Sequence, residues 1–241
     1  MPNSSTPTVV LVHGAFADAA SWSGVITELQ QHGVPVVAPP NPLRGLPADA
    51  AYVASVASRI DGPVVLAGHS YGGAVITVAG AAQNVAGLVY VAAYVPDEGE
   101  SLGELQGRFP EPPLAASLRQ SAYPGEDGQD AVEFTIDPQA FPQVFAADVP
   151  EEVTRVLAVT QRPLAAAAFT DRASTAAWRT KPAWAVIAGA DQAINPEVQR
   201  FGAARAGASG VEVAGASHAV AVSRPKEVAA VILEAVGALS A

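Results

Sequence analysis

The chain has 241 residues, half of them hydrophobic, and carries 13 basic and 23 acidic side chains for a formal net charge of -10. It contains no cysteine, which excludes disulfide frameworks, thiolate nucleophiles and Cys-ligated metal centres. The acidic balance argues against nucleic-acid binding, which depends on clustered Lys and Arg.

The amino-terminal residues lack the basic and apolar parts of a signal peptide. No later segment approaches the roughly 18 consecutive apolar residues of a membrane span. We therefore expect a soluble, cytoplasmic protein without a membrane or nucleic-acid partner. The hydrophobic content is enough for the core of one large domain.

Short Val-rich segments then alternate with longer segments of helical periodicity. This pattern is typical of βαβ units and predicts an α/β fold, with a parallel sheet that helices cover on both faces. Strands are predicted at residues 8–12, 35–38, 63–67, 86–92, 183–188 and 210–213. Helices are predicted at residues 22–32, 50–60 and 71–82, and two later ones begin at Pro196, after an Asn195 cap, and at Pro225.

The segment at residues 97–181 interrupts this alternation. It is rich in Pro, Gly and acidic residues, with short amphipathic stretches at residues 137–145 and 148–159. Ligands of open α/β sheets bind at the carboxyl edge of the sheet. We therefore interpret the segment as a helical cap over that edge, inserted into a core of residues 1–96 and 182–241; an inert surface excursion is the alternative.

The sequence Gly-His-Ser-Tyr-Gly-Gly at residues 68–73 lies between a predicted strand and a predicted helix. A sharp turn there strains the backbone at Ser70 and favours residues without a Cβ atom two positions before and after it, as Gly68 and Gly72 are. The Ser70 hydroxyl would project above the sheet at the positive end of a helix. We predict Ser70 as a nucleophile; a glycine turn that only packs helix on strand is the alternative.

A serine hydroxyl needs a base, and four histidines compete for this role. His218 lies in the loop after the last predicted strand, from which it can reach the carboxyl edge of the sheet, so we predict it as the base. His69 must point away from Ser70 at a tight turn. His13 is expected to shape the loop after the first strand, and His32 to be a surface residue at a helix end.

The base in turn needs a carboxylate to fix its tautomer and stabilise its charged form. Asp191 follows the fifth predicted strand, and the chain order Ser70, Asp191, His218 is that of an α/β-hydrolase. Asp97, after the fourth strand, is the competing candidate, because a carboxylate at the neighbouring strand end can reach the same imidazole nitrogen.

Two backbone amides are candidate donors to a developing oxyanion. One is the amide of Tyr71, directly after the predicted nucleophile. The other lies in the loop after the first strand, where Ala15 is favoured over Phe16. Gly14 allows this loop to approach closely.

Four motifs together resemble the α/β-hydrolase superfamily: Val-His-Gly-Ala at residues 12–15, Gly-His-Ser-Tyr-Gly-Gly at 68–73, Gly-Ala-Asp at 189–191 and Ser-His at 217–218. The segment from Asp191 to Pro225 is similar to the branch of plant methylesterases and hydroxynitrile lyases. The resemblance implies an α/β-hydrolase fold with local strand order 2-1-3-4-5-6. It also implies a serine esterase mechanism with no metal and no organic cofactor.

Two positions separate the activities within that branch. Cyanohydrin-cleaving members resemble each other in having Thr at the position of Gly14 and Lys directly after the catalytic histidine, where this chain has Ala219. A lysine there would stabilise departing cyanide, so its absence favours hydrolysis of an ester, thioester or lactone. A perhydrolase or lyase with the same residues, and a ligand-binding protein without activity, are the alternatives.

Aromatic residues are frequent in the predicted cap, and Trp22 follows the predicted oxyanion loop. We predict that Trp22, Phe109, Phe145 and Trp178 line an apolar substrate pocket, with ordinary core packing as the alternative for each. No Arg or Lys stands beside the predicted triad, which favours a neutral, moderately hydrophobic small-molecule ester as substrate. We expect a monomer or homodimer.

Overall fold

The computed structural model describes residues 6–125 and 128–240. The strands in these ranges are β1 (Thr8–Val12), β2 (Val36–Val37), β3 (Val64–His69), β4 (Val85–Val91), β5 (Leu118–Pro124), β6 (Asp130–Ile136), β7 (Leu164–Ala165), β8 (Ala183–Ala188) and β9 (Ser209–Val213). The α-helices are α1 (Ser23–Gln31), α2 (Leu46–Ser58), α3 (Tyr71–Ala79), α4 (Leu102–Gln106), α5 (Phe141–Phe145), α6 (Glu151–Leu157), α7 (Ala167–Thr170), α8 (Pro196–Arg205), α9 (Val220–Ser223) and α10 (Pro225–Leu239).

Six of these strands form one parallel sheet in the order β2-β1-β3-β4-β8-β9. Because β8 and β9 are the fifth and sixth core strands, this confirms the predicted order 2-1-3-4-5-6. Val12 at the end of β1 pairs with Gly68, and His69 at the end of β3 pairs with Val91. The loops that carry the predicted site residues therefore leave the sheet at the same edge.

The central strands are apolar on both faces because the sheet separates two hydrophobic cores. Along β1, Val10 and Val12 face the core that α2 and α3 share, whereas Val9 and Leu11 face the core shared with α1 and α10. A strand buried on both sides has no solvent-facing position, which accounts for the continuous Val-rich segments of the sequence. No helix in the described parts of the chain is both long and apolar enough to cross a membrane.

The predicted helix at residues 50–60 begins earlier than expected, at Leu46. Asp49 lies in its first turn and accepts hydrogen bonds from the amides of Arg44 and Gly45, at 3.1 and 3.4 Å. This carboxylate holds the two residues that precede the helix, a role that the sequence pattern did not predict. The predicted Asn195 cap is confirmed, since its side chain accepts from the Glu197 amide at 2.9 Å.

The segment at residues 97–181 differs from the helical cap that the sequence predicts. It does contain α4 to α7, but β5, β6 and β7 add a three-stranded antiparallel sheet. The side chains of β5 are mostly exposed, so this strand shows no apolar pattern. In β6, by contrast, Val132, Phe134 and Ile136 alternate with polar residues, which is a strand signal that the prediction of a helical cap did not use. Apolar side chains of the segment belong to the same hydrophobic cluster as those of β1, β3 and α3, so the cap and the sheet pack around one core.

Candidate active site

Ser70 lies in the turn between β3 and α3 with a left-handed backbone conformation, φ 57° and ψ -123°. This conformation is unfavourable for a residue with a side chain, by about 1–3 kcal/mol, and must be held by its surroundings. The Ser70 amide donates to the Val91 carbonyl at 3.1 Å, and the Ser70 carbonyl accepts from the amides of Gly73 and Tyr94 at 3.0 and 3.2 Å. The turn thus fixes the serine at the carboxyl edge of the sheet.

Three glycines make this turn possible. A Cβ atom at Gly68 would collide with the carbonyl of Gly72, and one at Gly72 would collide with the carbonyl of Val12. A Cβ atom at Gly14 would lie 2.6 Å from the Cβ of Ser70. The loop after β1 therefore approaches the serine more closely than any other residue type would allow.

His218 and Asp191 meet in the loops after β9 and β8. The Nδ1 atom of His218 lies 2.6 Å from Oδ2 of Asp191, and both side chains are buried. Oδ1 of Asp191 accepts from the amides of Ala193 and Ile194 at 2.7 and 2.9 Å. A carboxylate so well supplied with donors is stable in a buried position, and it orients the ring so that Nε2 remains available.

Asp97, the competing candidate for the acid, lies elsewhere. Its carboxylate pairs with Arg179 at 2.8 Å, and 31% of the side chain is exposed. It also accepts a hydrogen bond from the Glu98 amide at 2.8 Å. The structure therefore brings Asp191, and not Asp97, to His218.

Ser70 and His218 line one cavity of about 30 Å³. Among the hydrogen bonds of residues 6–125 and 128–240, none joins the Ser70 hydroxyl directly to His218. Such contacts are often long in the absence of substrate. The other lining residues are apolar or aromatic: Ala15, Phe16, Tyr71, Tyr94, Leu102, Leu114, Phe145, Leu164, Phe169, Ala193 and Ile194.

The predicted oxyanion donors border this cavity. The amides of Ala15 and Tyr71 have no hydrogen-bond acceptor in the described part of the chain. Tyr71 is the first residue of α3, where an amide has no partner within the helix. The amide of Phe16, the alternative to Ala15, already donates to the Arg162 carbonyl at 3.1 Å. The geometry thus favours Ala15 over Phe16.

His69 has a role that the sequence analysis missed. Its Nε2 atom lies 2.9 Å from the carbonyl oxygen of His218, and the centroids of the two rings are 4.7 Å apart. Burial, together with the neighbouring His218, lowers the pKa of His69 to about 3, so the ring is neutral and donates its Nε2–H. His69 therefore holds the backbone of His218. The one feature of the sequence that could have pointed to this role is the position of His69 next to Ser70.

Two further polar side chains support the site from behind. Gln199 donates to Oδ2 of Asp191 at 2.7 Å, while its own carbonyl accepts from the Ala188 amide at 2.9 Å. Asp49 accepts from the Tyr71 hydroxyl at 2.7 Å. Each is a polar residue on a helix face that is otherwise apolar and buried. A polar residue in such a position can be found from the sequence, and it indicates a side chain with a buried partner.

The other histidines lie where the sequence predicts. The Nδ1 atom of His13 is 2.9 Å from the Gly14 carbonyl, and its Nε2 accepts from the Asn41 amide at 2.8 Å. It thereby shapes the loop after β1. His32 is exposed beyond the end of α1 and bonds the Glu28 carbonyl.

Of the four aromatic residues predicted to line the pocket, the structure places Phe145 there and the other three elsewhere. Trp22 is fully buried in the core beneath His69, on the α1 and α10 side of the sheet. Phe109 packs on Phe201 instead, with the ring centroids 5.6 Å apart.

Trp178 also lies away from the cavity, because its indole N–H donates to the Pro96 carbonyl at 2.9 Å and its ring lies near Arg179 and Arg205. In place of these three aromatics, the cap contributes leucine side chains and Phe169 to the wall of the cavity. Within the described ranges, no three His, Asp or Glu side chains form a group that could hold a metal ion.

Comparisons with known proteins bear on the family and the fold of the chain. A family model described as the alpha/beta hydrolase family matches residues 9–231. Polyneuridine aldehyde esterase is similar with a TM-score of 0.82 and 21% identity, over 96% of this chain and 99% of that one.

A methylesterase, MES16, from Arabidopsis has a TM-score of 0.78 and 19% identity, over 96% of this chain and 99% of that one. A pyrethroid hydrolase from Sphingobium faniae JZ-2 has a TM-score of 0.76 and 21% identity, over 97% and 98% respectively. At such identities the likeness shows a shared fold. A comparison with curated protein sequences found no match.

Proposed function

The chain belongs to the alpha/beta hydrolase family, and from that premise we propose that it is a serine hydrolase that cleaves neutral, moderately hydrophobic carboxylic esters or lactones through an acyl-enzyme. One observation carries the proposal. His218 and Asp191 are joined at 2.6 Å beside the cavity that also contains Ser70. The esterase activities in the names of similar solved structures support the same substrate class.

In the first half of the reaction, the Ser70 oxygen attacks the carbonyl carbon of the ester while its proton moves to Nε2 of His218. Asp191 stabilises the imidazolium that forms. The carbonyl oxygen becomes an oxyanion, which the free amides of Ala15 and Tyr71 bind. When the tetrahedral intermediate collapses, the bond to the alcohol oxygen breaks and His218 returns the proton to that oxygen.

In the second half, water takes the place of the alcohol. His218 removes a proton from the water while the oxygen of the water attacks the acyl carbon. The bond to Ser70 then breaks, the proton returns to the serine oxygen, and the carboxylic acid leaves. The same two amides bind the second oxyanion.

The lining of the cavity supports a neutral substrate. Among the described residues, no Lys, Arg, Asp or Glu side chain lines it, and the Tyr71 and Tyr94 hydroxyls are engaged with Asp49 and with Gln106. A volume of about 30 Å³ holds little more than one water molecule. We therefore expect apolar cap side chains to move aside when an ester binds.

A panel of p-nitrophenyl esters, with the parent and Ser70→Ala side by side, tests the proposal. We expect the substitution to lower kcat by about 10,000-fold or more, because the nucleophile is lost. A fluorophosphonate should add to one residue, and peptide mass spectrometry should locate the adduct on Ser70.

Equal rates for the two proteins would remove Ser70 as the nucleophile. Tight binding without turnover would favour a ligand-binding protein. Product analysis with added peroxide separates hydrolysis from perhydrolysis, and release of products without an acyl-enzyme would indicate a lyase.

A further inference from the structure

The cap segment between α5 and α6 contacts the chain on both sides of His218. On one side, the Ser217 hydroxyl donates to Oδ1 of Asp148 at 2.5 Å. On the other side, the Ala219 amide donates to the Phe145 carbonyl at 2.9 Å. The two residues that flank the histidine are therefore both tied to the cap.

The bond between Ser217 and Asp148 is a strong one by its chemistry. A hydroxyl that donates to a carboxylate forms a charge-assisted hydrogen bond, about twice as strong as a neutral one. Ser217 is buried, and only 14% of the Asp148 side chain is exposed. In such surroundings, removal of either partner leaves a polar atom without compensation.

This bond bears on the predicted base because, among the described residues, Asp191 makes the one hydrogen bond to the His218 imidazole. Its Nδ1 is held by Asp191, whereas its position along the loop depends on the backbone. That backbone is held by His69 at the carbonyl of His218, and by the two cap contacts at its neighbours. A shift of about 1 Å in a catalytic group can lower a rate by about 100-fold.

We propose that Asp148 is a positioning residue for His218, which acts through Ser217 and couples the seating of the cap to the geometry of the base. The inference rests on the proposed serine hydrolase function. Neither Asp148 nor Ser217 lines the cavity, so neither is placed to contact the substrate. Their effect should therefore fall on the chemical steps and not on substrate binding.

The test measures kcat and KM separately with a p-nitrophenyl ester. We expect Ser217→Ala and Asp148→Ala each to lower kcat about 10-fold and to change KM less than about twofold. Ser217→Thr keeps the hydroxyl and Asp148→Asn keeps the Oδ1 acceptor, so both should stay within about threefold of the parent. The double alanine variant should be no slower than either single one, because both remove the same bond.

Arg119→Ala is the matched control. Arg119 pairs with Asp137 at 2.7 Å in the same cap and both side chains are partly exposed, so its removal breaks a cap ion pair and leaves Asp148 and Ser217 untouched. It should keep the parent kcat. Circular dichroism checks folding, and Ser217→Cys, which keeps the bulk but donates weakly, should follow Ser217→Ala if the bond matters.

The proposal is overturned if the alanine variants keep the parent kcat, if their losses multiply in the double variant, or if KM rises while kcat is retained. In each case Ser70-dependent hydrolysis by the parent would leave the proposed function standing. If the parent shows no Ser70-dependent hydrolysis of any ester, both the function and the positioning role are wrong.

Discussion

The sheet loops and the cap contribute different chemistry to one cavity. The loops after β1, β3 and β9 supply the polar groups that border it, which are Ser70, His218 and two free amides, and the loop after β8 supplies Asp191, which holds His218. The cap supplies apolar side chains, among them Leu114 and Phe145. The candidate catalytic groups thus sit at the edge of a buried sheet, whereas the apolar wall that the cap provides comes from its short helices and strand β7.

The difference follows from what each task requires. A proton relay works only within a few tenths of an ångström, so its members need strands, buried hydrogen bonds and tight turns around them. An apolar wall needs only volume and shape, which many side chains can provide. We therefore expect substitutions at the sheet edge to reduce the rate for every substrate, and substitutions in the cap to change the preference among substrates.

The largest expected effect is on kcat, and it is found by comparing substitutions of two carboxylates, one from each region. Asp191→Asn should lower kcat by about 1,000- to 10,000-fold, because the amide favours the wrong tautomer of His218. Asp97→Asn should leave kcat within about threefold, since the Asp97 side chain pairs with Arg179 and is partly exposed. Steady-state hydrolysis of one p-nitrophenyl ester by both variants measures this.

A reversal of that pair would contradict the geometry. Full activity of Asp191→Asn, together with a large loss in Asp97→Asn, would place the acid at the boundary of the cap. Equal and moderate losses in both would show that neither carboxylate is bound to the base during turnover. Either result would contradict the view that the sheet edge supplies the catalytic groups and the cap supplies only the apolar wall of the cavity.

A second prediction concerns stability within the sheet region. The pKa of His69 is lowered to about 3 by burial, against 6.5 as its ordinary value. Between these values the unfolded chain binds a proton at His69 and the folded chain does not. The free energy of unfolding should therefore fall as the pH falls from 6.5 towards 3, by up to about 1.4 kcal/mol per pH unit from this group.

Comparison of the parent with His69→Gln isolates this contribution. Glutamine can still donate to the His218 carbonyl but does not titrate, so the variant should lose stability less steeply than the parent on acidification. Urea unfolding at pH 7, 6, 5 and 4 gives the two slopes. Parallel slopes would mean that His69 is protonated as easily in the folded chain as in the unfolded one.

The sequence predicts the sheet region well because its signals are local. A Val-rich strand, a glycine turn and a helix follow each other within residues 63–82, and this succession places Ser70 without knowledge of any distant contact. Asp191 and His218 follow strands in the same way. The role of His69 is not local, since its partner His218 lies 149 residues away in the chain.

The cap is harder to predict because its structure depends on distant partners. The side chains of β5 are mostly exposed and show no apolar pattern, so its pairing with β6 has no local signal. In β6, Val132, Phe134 and Ile136 alternate with polar residues, but this signal does not say which strands lie beside it. The aromatic residues Phe109 and Phe145 look alike in sequence, yet one packs on α8 and the other lines the cavity. Only the packing of the cap on the sheet decides between them.

Substitutions of these two phenylalanines should have the smallest effect of those predicted here. They test most directly whether the cap determines the preference among substrates. Phe145 separates the cavity beside Ser70 from a second, apolar cavity of about 20 Å³, which Phe141 also lines. Phe145→Ala should join the two spaces. The ratio of kcat/KM for p-nitrophenyl hexanoate to that for the acetate should then rise about 10-fold, as one or two added methylenes find apolar contact.

Phe109→Ala is the matched change outside the cavity. Because Phe109 packs on Phe201, its removal should lower the melting temperature and leave the hexanoate-to-acetate ratio as in the parent. A ratio that changes equally in both variants would point to a general loosening of the cap, and one that changes in neither would show that longer chains bind elsewhere. The ratio, rather than either rate, is the proper measure, because Phe145 also contacts the His218 ring, and a disturbed base slows both esters alike.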